Sequence, residues 1–280
     1  MKDFKGVITA LITPFEKDEV DFASLERLIQ FQLENGIQGF VINGTTGESP
    51  TLSSVERAKI FQFIKDRVPD DFPLIMGTGS NSTAKSVEDS KEAEKLGADA
   101  ILMVVPYYNK PPQRGLLEHF KTVADATNIP NILYNVPSRT ITFLEMDTIK
   151  KLSEHPNIIG IKEASGNIQF DKELRKICGD SFLMLSGDDS TYDEFMAAGG
   201  DGVISVCSHI IPKAMLDIKA SQYKSLIDLL FIEANPIPLK KALQLMGLIK
   251  TADCRLPLVS LSEAHTVKLQ KALHEAGLLK

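Results

Sequence analysis

The stretch Gly97-Ala-Asp-Ala-Ile-Leu-Met-Val-Val-Pro-Tyr-Tyr-Asn109 contains one full repeat of the pattern that decides the fold. A glycine, able to end a helix in the left-handed conformation that other residues resist, precedes a short apolar run, Ala100 to Val105. That run has strand length and is followed at once by a polar segment bounded by proline. Outward from it the same succession recurs. Gly36-Ile-Gln-Gly39 and Gly199-Gly-Asp-Gly202 also stand between a helical pattern and an apolar run. The further strand candidates are Val7 to Ile12, Phe40 to Ile42, Leu74 to Met76, Asn131 to Tyr134, Ile158 to Lys162, Phe182 to Ser186 and Val203 to Val206.

Helical spacing fills the intervals. Leu25, Leu28, Ile29, Gln32 and Leu33 mark one face of an amphipathic helix, and Ser53-Ser-Val-Glu56 reads as a capping box at the start of another. Strands that alternate with helices make a parallel sheet. The simplest arrangement of eight such units is a closed (β/α)8 TIM barrel. A doubly wound open sheet is the alternative, because a strand count alone does not close a barrel. Beyond Ser208 the strand pattern stops. Residues 1–208 therefore read as the barrel core. Residues 209–280 read as a helical appendix, broken at Asn235-Pro-Ile-Pro238 and at Arg255-Leu-Pro257, that packs on the barrel because no flexible linker precedes it.

Composition narrows the function classes. With 43% hydrophobic and 24% charged residues, the 280-residue chain is an ordinary globular protein rather than a disordered or fibrous one. A net charge of -6 with scattered Lys and Arg gives no basic face for a nucleic acid or an anionic membrane, so the expected partner is a small molecule. Cys178, Cys207 and Cys254 lack metal or disulfide spacing and read as buried thiols. His119, His155, His209, His265 and His274 form no metal motif either. The first apolar run is too short for a secretory signal, and no apolar stretch reaches membrane-spanning length, so a cytoplasmic location is expected. The sequons at Asn43 and Asn81 are then expected to be silent.

In a barrel of this kind, chemistry collects at the C-terminal ends of the strands. Lys162 sits there, closing the apolar run Ile158-Ile-Gly-Ile-Lys162. Two readings stand: a lysine that snorkels to the rim or pairs with Glu163 or an acid from the strand-seven loop, and a desolvated amine that attacks carbonyls. The second needs a lowered pKa. At the usual value about one lysine in 2,500 is neutral at pH 7, whereas burial that lowers it by about three pH units frees about a third. Tyr134, at the end of the neighbouring strand, is either a half-buried aromatic or a proton carrier to the same pocket. Gly44-Thr-Thr-Gly47 offers amides and hydroxyls to a carboxylate. Arg139 is either a solvated surface charge or a bidentate carboxylate ligand.

Five motifs in order, Gly44-Thr-Thr-Gly-Glu-Ser49, Pro106-Tyr-Tyr-Asn109, Tyr134-Asn-Val-Pro-Ser-Arg139, Gly160-Ile-Lys-Glu-Ala-Ser165 and Asn235-Pro-Ile-Pro238, resemble the dihydrodipicolinate synthase and N-acetylneuraminate lyase family over almost the whole chain. Arg139 after Tyr-Asn-Val-Pro-Ser resembles the synthase branch. The resemblance implies that Lys162 forms a Schiff base with pyruvate and that the derived enamine attacks L-aspartate 4-semialdehyde. It further implies a proton relay of Tyr134, Thr45 and Tyr108, the last donated by a neighbouring subunit. Thr46, with Thr45, is then expected to hold the pyruvate carboxylate and Arg139 the carboxylate of the aldehyde, while Gly187 and Ile204 contribute backbone groups. No metal or organic cofactor is implied, because the protonated imine itself accepts the electron density.

The resemblance also implies a homo-oligomer, with a dimer required and a tetramer expected. The stretch from His209 to Glu233 is, however, about three turns shorter than the family pattern. Family members that bind lysine at a subunit interface are matched here at Ser49, Asn81 and Tyr107. Lys85 stands where they carry Glu, and Ser54 and Arg57 where histidines are common, so insensitivity to lysine is expected. Three other readings compete. A family aldolase with a different aldehyde is disfavoured by Arg139. A phosphate-binding barrel is disfavoured by the acids of Gly187-Asp-Asp189, and a non-catalytic metabolite-binding barrel leaves the joint presence of Lys162, Tyr134, Thr45 and Tyr108 unexplained.

Overall fold

Strand closure, which the sequence left open, is plain in a computed structural model that describes residues 2–279. Eight parallel strands, β1 (Gly6–Ala10), β2 (Phe40–Ile42), β3 (Leu74–Gly77), β4 (Ala100–Val104), β5 (Asn131–Asn135), β6 (Ile158–Glu163), β7 (Leu183–Ser186) and β8 (Gly202–Ser205), form a closed barrel. Each pairs with the next in sequence, and β8 returns to β1 with Gly6 opposite Gly202 and Thr9 opposite Ser205. The open-sheet alternative is thereby excluded. The strands fall within one or two residues of the apolar runs.

Side chains alternate across each strand, and this period of two sorts the core into two layers. Ile8, Val41, Ile75, Leu102, Ile132, Leu185 and Ile204 fill the barrel interior, whereas Val7, Ile42, Met76, Met103, Leu133, Met184 and Val203 face the surrounding helices. Those helices are α1 (Phe22–Glu34), α2 (Ser54–Lys65), α3 (Thr83–Leu96), α4 (Gln113–Asp125), α5 (Met146–Ser153), α6 (Ile168–Cys178) and α7 (Tyr192–Ala197). The predicted capping box at Ser53 forms, with its hydroxyl accepting from Glu56 N and the Glu56 carboxylate accepting from Ser53 N. Gly97 ends α3 at φ 82°, where a side chain is resisted.

After β8 the described residues hold only helices and irregular segments: α8 (Pro212–Leu216), α9 (Lys224–Leu230), α10 (Ile237–Leu245) and α11 (Glu263–Glu275). Helices α9 and α10 both pack on α11. Ion pairs and hydrogen bonds tie this region to the barrel mouth. Lys240 and Glu48 form a fully buried ion pair, and Arg255 N donates to Glu48 Oε2 at 3.0 Å. A small ribbon, Phe15–Glu16 with Glu19–Val20, is absent from the sequence reading, because its turn residues Lys17 and Asp18 adopt positive φ without the glycine that announces such turns. The thiols are less buried than expected: Cys207 is buried, but Cys178 and Cys254 are only half-buried. No helix among the described residues is long and apolar enough to cross a membrane.

Candidate active site

Lys162 occupies an inward position on β6, because Ile161 and Glu163 on either side point to the helix layer. Its side chain is 6% exposed. It makes no hydrogen bond or ion pair to any described residue, so the reading as a paired or rim lysine fails. Glu163 is engaged elsewhere: its Oε2 accepts from Asn135 Nδ2 at 2.8 Å and its Oε1 from Ser165 N at 2.7 Å. Burial brings the Lys162 ammonium from its ordinary 10.5 down to about 7, against the attraction of the Asp189 carboxylate and with help from Arg139. Such an amine is about half neutral at pH 7 and can attack a carbonyl.

Tyr134 lies directly opposite Lys162 in the β5–β6 ladder, with the lysine Nζ 4.3 Å from the centre of its ring. Burial pushes the phenol up to about 12, with Arg139 lowering and Glu163 raising it, so the group is a proton donor rather than a phenolate at neutral pH. Asp189 sits behind this pair. Its Oδ2 accepts from Val206 N at 2.9 Å and Cys207 N at 3.0 Å, which fixes the loop after β8. Gly187, at the end of β7, is required by sterics, since a Cβ there would lie 2.9 Å from Lys162 Cε and 2.6 Å from Ala164 Cβ.

Lys162, Tyr134 and Gly187 line a cavity of about 640 Å³ at the C-terminal mouth of the barrel. Thr45, Thr46, Arg139 and Gly187 line it with Lys162 and Tyr134. Thr46 is buried and its Oγ1 accepts from Asn235 Nδ2 at 2.9 Å, whereas Thr45 is exposed on the same turn. Arg139 stands exposed on the single helical turn Pro137–Thr140 that follows β5. It has no ion-pair partner among the described residues.

Not every expected residue arrives there. Ile204 is kept out of the cavity wall. Its backbone is engaged in the β8–β1 ladder opposite Ile8 and its side chain fills the barrel interior, while Val206, two residues on, faces the cavity instead. Tyr108 is 87% exposed at φ 74° and turns away from this chain's own cavity.

The same cavity is also lined by Ser49, Arg57, Lys85, Asp89 and the half-exposed Tyr107. Asn81 lies outside it, its carbonyl accepting from Asn109 Nδ2 at 2.8 Å. Arg57 and Lys85 converge on Asp89, at 3.0 Å and 2.9 Å, and Arg57 Nη2 also donates to Gly77 O. Asn43 is buried, with its amide donating to Arg57 O, which leaves no room for a glycan. Asn235 and Asp189 escaped the sequence reading as site residues. The first belongs to a helix break and to one of the shared motifs, and the second to the acids after strand seven that could pair with Lys162 or repel phosphate, so neither stands out as a site residue by itself.

A family profile described as the dihydrodipicolinate synthetase family matches residues 3–276. The 4-hydroxy-tetrahydrodipicolinate synthase of Bdellovibrio bacteriovorus is 56% identical over 293 aligned positions covering 100% of both chains. Among solved structures, the dihydrodipicolinate synthase of Thermotoga maritima matches at a TM-score of 0.95 and 41% identity, covering 99% of each chain. The chloride-inhibited dihydrodipicolinate synthase of Acinetobacter baumannii, solved with pyruvate, matches at 0.95 and 44% identity, covering 99% of this chain and 100% of that one.

Proposed function

The chain belongs to the dihydrodipicolinate synthetase family, and on that premise we propose that it is a lyase condensing pyruvate with L-aspartate 4-semialdehyde to 4-hydroxy-tetrahydrodipicolinate, in lysine and diaminopimelate biosynthesis. The observation that carries this reading is the desolvated Lys162 amine in register with the Tyr134 phenol, both lining the cavity at the barrel mouth. The neutral amine attacks C2 of pyruvate, and loss of water gives a protonated imine. That imine draws electrons from C3, a methyl proton leaves, and the resulting enamine carbon attacks the aldehyde. The amino group of the adduct then displaces Lys162 in closing the ring. Electron demand is met by the imine, so the proposed sequence uses neither metal nor organic cofactor.

Tyr134 carries protons to and from the reacting oxygen and nitrogen, linked through Thr45 to Tyr108 of a neighbouring subunit. The outward, exposed course of Tyr108 supports that last assignment, since this chain's own cavity does not use it. A dimer is therefore the minimal working unit, a tetramer the expected assembly, and the cytoplasm the expected compartment. Thr46 with Thr45 holds the pyruvate carboxylate, and the unpaired Arg139 guanidinium holds that of the aldehyde. Gly187 keeps the space beside Lys162 open and offers its carbonyl to the bound substrate, its N–H being donated to Glu163 O. The part of the cavity wall where two cations converge on Asp89 presents an ammonium ligand with a carboxylate already engaged twice. Insensitivity to L-lysine follows.

Intact-mass spectrometry after borohydride reduction with pyruvate, on the wild type and on Lys162→Ala, tests the reading. A pyruvyl adduct on the wild type alone, with turnover of aspartate 4-semialdehyde, supports it. An adduct without that turnover points to another aldehyde, and no adduct rejects Lys162 as nucleophile.

A further inference from the structure

Thr46 has one hydroxyl proton and, in this structure, one recorded hydrogen bond, in which Asn235 Nδ2 donates to its Oγ1 at 2.9 Å across a separation of 189 residues. Both side chains are buried and both line the cavity. A hydroxyl facing a carboxylate is useful only as a donor. With a lone pair occupied by the asparagine N–H, the Thr46 proton is left for the cavity. An acceptor at residue 235 would draw that proton back into the protein and turn oxygen lone pairs toward the substrate anion.

The backbone of the turn has other supports. Gly47 N donates to Gly44 O, Glu48 N donates to Thr45 O, and Thr13 Oγ1 donates to Gly47 O at 2.8 Å. Glu48, two residues past Thr46, is clamped by Lys240 of α10 and by Arg255 N. The Asn235 amide makes no other side-chain hydrogen bond, and its Oδ1 has no protein partner. Its contact is thus spent on the hydroxyl rather than on the fold of the turn.

We propose that Asn235 is a positioning residue that sets the polarity of the Thr46 hydroxyl, so that Thr46 donates to the carboxylate of the keto-acid substrate. The inference rests on the reading of Thr46 as the carboxylate ligand. Reversing the polarity with Asn235→Asp removes one hydrogen bond to a charged group and is expected to raise the pyruvate KM about ten- to hundredfold. The semialdehyde KM stays within about twofold, since Arg139 holds that substrate, on this scale of a single local contact. Asn235→Ala, which frees the hydroxyl without reversing it, has a smaller effect.

The test is a double-mutant cycle of Asn235→Asp and Asn235→Ala against Thr46→Val, read by both KM values, by borohydride trapping at subsaturating pyruvate, and by thermal melting. Supporting results are a selective rise in pyruvate KM, larger for Asp than for Ala, that disappears in the Thr46→Val background. Additive effects, an unchanged pyruvate KM, or a parallel rise of both KM values with a lowered melting temperature overturn it. If Asn235→Asp does not fold, the Asn235→Ala arm of the cycle decides alone. Failure of wild-type trapping rejects the underlying Schiff-base reading, whereas normal wild-type trapping with an additive cycle rejects only the role of Asn235.

Discussion

Replacing Lys162 by methionine is expected to make the protein more stable while abolishing pyruvate trapping, and the gain depends on pH in a defined way. The side chain is 6% exposed and its pKa falls from 10.5 to about 7, mainly by desolvation. Below pH 7 both folded and unfolded chains carry the charge, and the folded state bears the full penalty of burying it, about 5 kcal/mol. Between pH 7 and 10.5 the unfolded chain binds more protons than the folded one, so wild-type stability rises with pH. Above 10.5 both are neutral and the penalty vanishes. Methionine, of similar length and without charge, escapes the penalty throughout. Its advantage is therefore greatest below pH 7 and shrinks above it at a slope approaching about 1.4 kcal/mol per pH unit, which amounts to about 2 kcal/mol between pH 7 and 9 because the amine is already half neutral at pH 7. Urea unfolding of the two proteins at matched concentration from pH 6 to 9 measures it. A difference that is independent of pH, or a methionine variant less stable at pH 6, would refute the assignment of a desolvated, half-neutral amine.

Lys240→Met leaves Glu48 buried without its cation and is expected to destabilise by about 3 to 5 kcal/mol, whereas the joint change with Glu48→Gln costs much less; urea unfolding of both variants separates the two. Tyr108→Phe and Lys162→Ala, each nearly inactive alone, are expected to recover about a quarter of wild-type activity when mixed and reassociated, because half of randomly paired dimers then hold one intact site of two. Persistent inactivity of the mixture would return Tyr108 to a role within its own subunit or to none. L-Lysine at sub-millimolar concentration is expected to leave the initial rate unchanged, and inhibition there would show that the Arg57–Asp89–Lys85 cluster opens to admit an ammonium ligand.

The eight strands were legible because strand and helix periods are local properties, set by which faces a short segment must bury. The same alternation turns Lys162 inward, since Ile161 beside it must face the helices. Residue types at the strand ends likewise announced the mouth of the barrel. Closure of the sheet was not legible, for it depends on Gly6 meeting Gly202, the first strand meeting the last. Nor was the register that sets Tyr134 opposite Lys162, or the depth of the cavity that leaves Ile204 in the barrel interior and Val206 on the cavity wall. Asn235 read as part of a helix break and of a shared motif, but not as the partner of Thr46, because the two lie far apart in sequence. Arg57 and Lys85 read only as departures from the residues of lysine-binding family members; their common engagement of Asp89 was not legible, because Asp89 meets Arg57 only when α2 and α3 pack side by side. Sequence thus determined which groups the chain supplies and which face of each element they occupy. Tertiary structure decided which of them meet and how dry their meeting place is, because contact and desolvation are properties of the assembled elements and of no single one.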